Sequence, residues 1–298
     1  MDAASAAPLR RRRFEVSQEL YRRITLLNTA VLVLILTTGA TVRLTGSGLG
    51  CKHWPGCQAG QPFPTKNYHS YIEFTNRILA AIIVFVTLGA WLAALIAPKV
   101  PRWVKWVALL VFFGTAAEAP LGAVTVYYDL NPYLVQSHFV LSIAVLTLAA
   151  IVSVDAFDLR GAAVSSGVRG IAVAVAALTA VMVVSGTLAT AAGPHAGSID
   201  VRRIWDLHSA VYWHVRATAL FGLLFAYLLW KFSREKSEHY ERGLLVLGVL
   251  AVQMVIGEIQ YRTHLPWGIV LVHVTLSGVL WVAMTAWVAG MFRPSRMA

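Results

Sequence analysis

Eight apolar stretches divide this chain, at about residues 24–43, 72–97, 106–127, 134–154, 170–191, 204–230, 243–261 and 267–291. Each is roughly 20 residues or longer, enough for a helix to cross a hydrocarbon core of ~30 Å. No water at that depth satisfies backbone N–H and C=O groups, so the stretches must close their hydrogen bonds internally, as helices. Composition agrees, since 58% hydrophobic residues against 13% charged is not the balance of a soluble domain of 298 residues. The expected fold class is an all-α integral membrane protein with eight transmembrane helices.

Orientation follows from Lys and Arg, which resist translocation next to a span. With the basic start (Arg10 to Arg13, Arg22, Arg23) in the cytoplasm, 17 of the 25 Lys and Arg lie inside and six outside, with Arg77 and Arg216 within spans. Both termini are expected to be cytoplasmic, and residues 1–23 read as a cytoplasmic basic tail. The tail is too polar for a signal peptide's apolar core, and the first span reads as a retained anchor. The net charge of +11 sits in short loops and builds no continuous surface for nucleic acid. The partner implied by composition is the lipid bilayer.

The chain repeats itself. Leu121-Gly122, Pro132, Val135-Gln136-Ser137-His138 and Leu141-Ser142 are answered by Ile256-Gly257, Pro266, Val270-Leu271-Val272-His273 and Leu276-Ser277. Gly122 to Gly257 and His138 to His273 are both offsets of 135 residues. Thr38-Gly39 resembles Ser185-Gly186 at a larger offset of 147, which implies a longer first outer loop. With four spans per half, both halves enter the bilayer from the same side, which predicts a parallel duplication: two four-helix bundles over 24–160 and 161–298.

Ionisable groups inside spans are costly and mark function. His138, His208 and His273 each fall near the outer end of an even-numbered span, and Glu73, Asn76 and Arg77 take the matching place on the second. Applying the 135-residue offset to Glu73 lands on His208. Facing histidines from two helices of a bundle can fill both axial positions of a heme iron, and His208 with His273 is the expected pair. His214 is the rival; six residues on a helix turn it about 240° from His208, so the two cannot face one iron. His138 has no histidine opposite, only Glu73 and Asn76, so an iron there would have a weak or open second position. Arg77 can pair with Glu73 at i, i+4 or with a heme propionate.

Cys51 and Cys57 share the first outer loop, where an oxidising compartment lets them bridge, as a structural staple or as a redox pair. Glu118 and Glu258, in or near spans, can relay protons or face a cavity. His53, His69, His195 and His264 lie in or beside outer loops, where an imidazole needs no iron.

Together these residues resemble the heme A synthase family along nearly the whole chain: two four-helix halves, the Cys51/Cys57 loop, Glu73-x-x-x-Arg77 opening the second span, and histidines starting the fourth, sixth and eighth. The stretch Asn131-Pro132-Tyr133-Leu134-Val135-Gln136-Ser137-His138 is especially similar. The resemblance implies an oxidoreductase that converts a methyl group of heme O to a formyl group by successive hydroxylations for terminal oxidase biogenesis. It implies heme b as cofactor in the C-terminal half on His208 and His273, heme O as substrate on His138 in the N-terminal half, and Glu73 beside it as catalytic proton acceptor or weak ligand. It further implies the plasma membrane, heme sites toward the outer face, a heme O-producing farnesyltransferase as partner, and an electron acceptor of unknown kind. This chain departs from the family twice. Asn76 stands where many members carry a histidine, and 193–203 lacks the second cysteine pair many carry. A cytochrome b-type quinol oxidoreductase is the alternative, but it wants four histidines at this depth; a transporter is a further one, but it wants helices broken at mid-span.

Overall fold

The computed structural model describes residues 16–64, 67–198, 201, 203 and 205–292. Arg10 to Arg13 and the rest of the tail through residue 15, Lys66, Arg202, and Ile204 at the expected start of the sixth span lie outside the described residues. Eight helices follow one another: α1 Gln18–Leu44, α2 Tyr68–Ile96, α3 Arg102–Tyr127, α4 Pro132–Ala156, α5 Ser166–Ala192, α6 Leu207–Arg234, α7 Glu238–Arg262 and α8 Trp267–Ala289. All eight are long and apolar enough to cross a membrane, and the chain is a multi-pass membrane protein. Among the described residues there is no strand beyond a lone antiparallel bridge between Gln58 and Gln61.

Local chemistry sets the helix starts. Ser17, Asn67, Asn131, Ser165, Asp206 and Ser237 each accept a backbone N–H of the first turn, while Pro101 and Pro266 precede α3 and α8. The reversals between α3 and α4 and between α7 and α8 are built alike. Asp129 and Leu130 are left-handed at φ 49° and 57°, His264 and Leu265 at φ 62° and 61°, and Leu130 N–H and Leu265 N–H return to Thr125 and Gln260 carbonyls. Residues with side chains rarely adopt that conformation. Its occurrence twice, 135 residues apart, ties both reversals to the same tight geometry.

Packing arranges the helices in two rings. In the first, α1 touches α2 and α4, and α3 touches α2 and α4; in the second, α5 touches α6 and α8, and α7 touches α6 and α8. The rings meet where α1 and α4 lie on α8 and α4 on α5. Among the described residues the backbones of α2 and α4, and those of α6 and α8, do not approach closely, although Phe225 and Phe232 of α6 meet Trp287 of α8 edge-on at the far end of the second ring. These diagonal pairs face each other across the middle of each ring. Leu36, Ile143 and Val183 pack with Val274 and Trp281 along the seam, and Trp281 Nε1 donates to Thr147 Oγ1 at 2.8 Å across it. Leu26, Phe85, Leu223 and Leu245 are each more than half exposed, which suits a surface covered by lipid.

The largest buried cluster of the second ring lies toward one end. Met182, Phe221, Leu250 and Leu280 are its last buried members on α5, α6, α7 and α8 in the direction of the α1–α2 loop. The histidines lie beyond them.

Candidate functional site

Three imidazoles occupy equivalent seats, each on an even helix against a glycine of the preceding odd one. A Cβ placed at Gly122 on α3 would meet His138 Cε1 at 3.6 Å, at Gly186 on α5 His214 Cε1 at 3.1 Å, and at Gly257 on α7 His273 Cε1 at 3.0 Å. At Gly186 and Gly257 the ring takes the space a side chain would fill, whereas at Gly122 a Cβ would make ordinary contact with it. The sequence pointed to the glycines; that each is the floor under a histidine emerges only from the structure.

On α6 the imidazole seated against a glycine, as His273 is, is that of His214, the rival of the expected His208. His208 is exposed in the first turn of α6, beside the Asp206 cap, whose carboxyl is held below its ordinary range by hydrogen bonds from Ser209. His214, six residues on, is half-buried. Ser185 Oγ donates to the Met182 carbonyl at 2.9 Å and stands 3.1 Å from His214 Nδ1. Its oxygen therefore accepts the Nδ1 proton, and the Nε2 lone pair is left free.

His138 is held differently. Its Nδ1 lies 2.6 Å from Glu118 Oε2, an ion-pair contact in which neither atom is otherwise hydrogen-bonded and the two are not yet aligned as donor and acceptor, and Ser142 Oγ donates to the second Glu118 oxygen at 2.7 Å. Pro120, inside α3 between Glu118 and Gly122, withdraws one backbone hydrogen bond at this level. Glu118 was a polar mid-span residue with no assigned partner in the sequence; its partner is the imidazole on α4.

The fourth seat is empty. Gly39 on α1 has nothing within 4 Å of the position its Cβ would take. Asn76 on α2, the residue opposite, is too short to reach over it. Instead Thr38 Oγ1 donates to Asn76 Oδ1 at 2.7 Å. Thr38-Gly39 and Ser185-Gly186 thus do the same work for Asn76 and His214.

Glu73 and Arg77 are engaged with the cysteine loop. Cys51 and Cys57 form a disulfide with S–S 1.99 Å. Glu73, 4% exposed, accepts the Cys51 N–H at 2.8 Å and pairs with Arg77 at 2.5 Å. Arg77 also donates to the carbonyls of His53, Gly56 and Cys51. The i, i+4 pair therefore clamps the loop onto α2. Because Arg77 anchors three carbonyls and neutralises a buried carboxylate, Arg77→Met should destabilise the protein by roughly 3–5 kcal/mol. Cys57→Ser, which opens only a short covalent loop, should cost about 2 kcal/mol. Thermal unfolding of the two variants in detergent checks the order; a larger loss for Cys57→Ser would mean that the disulfide, and not the clamp, holds the loop.

Two other histidines do structural work. His195 Nε2 is 2.8 Å from the Leu265 carbonyl, tying the loop after α5 to the α7–α8 reversal. His239 is fully buried against Gly161 with Nε2 2.9 Å from the Ala162 carbonyl.

Among the described residues no three His, Cys, Asp or Glu converge as a metal-ion cage. A porphyrin brings four ligands of its own and asks the protein for one or two axial nitrogens. Two imidazoles on diagonal helices, above a buried cluster that stops short of them, meet that demand. In addition His273 Nδ1 and Gln253 Oε1 are buried polar atoms without partners.

The sequence model of the COX15-CtaA family, described as cytochrome oxidase assembly protein, matches residues 22–285. A heme A synthase of Shewanella oneidensis is 26% identical over 306 residues, covering 84% of this chain and 89% of that protein. One from Lysinibacillus sphaericus is 26% identical over 279 residues, 85% of this chain and 89% of its own. One from Bacillus pumilus is 33% identical over 139 residues, 44% of either chain.

Proposed function

We propose, from the premise that the chain belongs to the COX15-CtaA family of cytochrome oxidase assembly proteins, the following division of labour within a heme A synthase. The enzyme is an oxidoreductase that carries a methyl group of heme O through successive hydroxylations to a hydrate, which loses water to leave a formyl group. The N-terminal four helices, within 24–160, take heme O through His138, with Asn76 on the opposite side of the ring. The C-terminal four, within 161–298, take heme b between His214 and His273. Heme b supplies one-electron transfer when bound.

What carries this reading is the set of three glycine-seated imidazoles and one vacated seat. Ser185 and Glu118 leave the Nε2 atoms of His214 and His138 free to ligate. A doubly ligated iron is sealed for electron transfer, whereas a singly ligated one keeps a position for chemistry. Asn76 keeps that position open. A pure electron carrier with two hemes would want an imidazole there as well. Glu73, one helical turn from Asn76 on α2, acts in this reading through the loop it holds: with one oxygen on Cys51 N–H and the other on Arg77, its carboxylate positions the loop rather than ligating iron.

The charge asymmetry of the loops supports cytoplasmic termini, and hence histidine seats toward the outer face of the plasma membrane. A farnesyltransferase that makes heme O is the natural donor of the substrate. The reading is tested by purifying the protein from cells that do and do not make heme O and separating the extracted pigments. Heme b alone from the latter, and heme b with heme O and heme A from the former, is expected. Heme b alone from both would reduce the protein to an electron carrier.

A further inference from the structure

Position 118 in the first ring and position 253 in the second are 135 residues apart, the same offset as His138 and His273. They carry different groups. In the first ring the Glu118 carboxylate lies 2.6 Å from His138 Nδ1 and is itself held by Ser142 at 2.7 Å. Its side chain is 17% exposed, shielded from the solvent that would weaken the contact. In the second ring Gln253, 7% exposed, directs its amide to the backbone: Nε2 donates to the His273 carbonyl at 2.9 Å. Its Oε1 and His273 Nδ1 stay unpartnered.

We propose that Glu118 is a positioning residue of the substrate site, which takes the Nδ1 proton of His138, fixes its tautomer and makes its Nε2 a stronger donor to iron than that of His273. The inference rests on the reading of His138 as the heme O ligand. Its physical basis is that a carboxylate behind a ligating imidazole orients the ring and raises its basicity, and that an amide does so less. Ser142, one turn along α4 from His138, completes the relay by aiming the carboxylate. The two irons of one chain thus receive different nitrogens from otherwise equivalent seats. A more basic axial nitrogen favours the oxidised iron, so Glu118 lowers the potential of the substrate heme below the value the same site would give with an amide at position 118.

Anaerobic spectroelectrochemical titration of the holoenzyme loaded with heme O tests this. Glu118→Gln is expected to move the substrate heme's midpoint to a more positive value, to leave the heme b midpoint in place, and to loosen heme O retention by roughly 10- to 100-fold. Ser142→Ala, which removes one hydroxyl and adds no volume, should shift the same midpoint in the same direction by less, and stands in if Glu118→Gln does not fold. A substrate midpoint unchanged in whichever of the two variants retains both hemes overturns the proposal. His138→Ala separates the failures: if that variant keeps heme O as well as the parent does, it is the ligand reading that falls, and not the role of Glu118 alone.

Discussion

His214→Ala is expected to empty the C-terminal half of its heme, while His208→Ala leaves it loaded. His214 presents Nε2 because Ser185 holds its Nδ1, and it shares the ring with His273; His208 is exposed in the first turn of α6. A partner behind a ligand is typically worth about 10- to 100-fold in affinity, so removal of the ligand itself should lower heme b retention by more than about 100-fold. The alanine removes the ring over Gly186 and leaves the largest buried cluster of this half intact, since on α6 that cluster begins at Phe221, two turns further along. The measurement is the heme b content of purified protein, by pigment extraction, with size-exclusion chromatography to show that the fold survives. Equal loss in His208→Ala would return the pairing to the exposed histidine. Ser185→Ala should fall between the parent and His214→Ala.

The sequence placed the spans, the loop disulfide, and two of the three seated histidines, because these depend on local pattern. Hydropathy places helices wherever an unpaired backbone cannot be tolerated, and the duplicated Gly-to-His spacing survives in α3–α4 and α7–α8, where both halves have the same tight reversal. At the sixth helix the register of the two halves drifts. The offset between halves is 147 at Gly39 and Gly186, 138 at Asn76 and His214, and 135 at Gly122 and Gly257. Extra residues in the cysteine loop account for most of this drift. The turn after α2, residues 97–101, is also longer than that after α6, residues 235–237. Using the final offset at α2 therefore pointed to His208, whereas equivalence is set by which residue the Thr38 or Ser185 hydroxyl reaches. Contacts of that kind join residues far apart in sequence, such as Glu118 with His138 and Arg77 with three loop carbonyls, and no periodicity announces them. A polar residue inside a span declares that it has a partner, not which one.

The empty seat at Gly39 leads to the other large effect, produced by Asn76→His. The space for an imidazole exists, because a Cβ at Gly39 would meet nothing within 4 Å. Its hydrogen-bond partner exists too. Thr38 Oγ1 now donates to Asn76, but it also lies 3.2 Å from the Ile35 carbonyl three residues back, as Ser185 lies 2.9 Å from that of Met182. Turning its proton to Ile35 would let Thr38 accept a histidine Nδ1–H as Ser185 does, so the lost Asn76 bond, worth about 1 kcal/mol, is replaced rather than forfeited. The substituted chain would then offer substrate iron His138 on one side and a second imidazole on the other. The expected result is conversion of the ferric substrate heme from a weak-field to a low-spin spectrum, loss of imidazole binding by the ferric heme and of carbon monoxide binding by the ferrous one, and retention improved by at least about 10-fold. Electron paramagnetic resonance and optical titration of the heme O-loaded protein, wild type against variant, read all three. If wild-type protein already shows a low-spin substrate heme that ignores added imidazole, another group fills the position opposite His138, and the open face assigned to Asn76 is wrong. If the wild type binds imidazole and the variant does not, the single substitution at position 76 accounts for the difference between an iron left open for oxidation and one closed on both faces like that of His214 and His273.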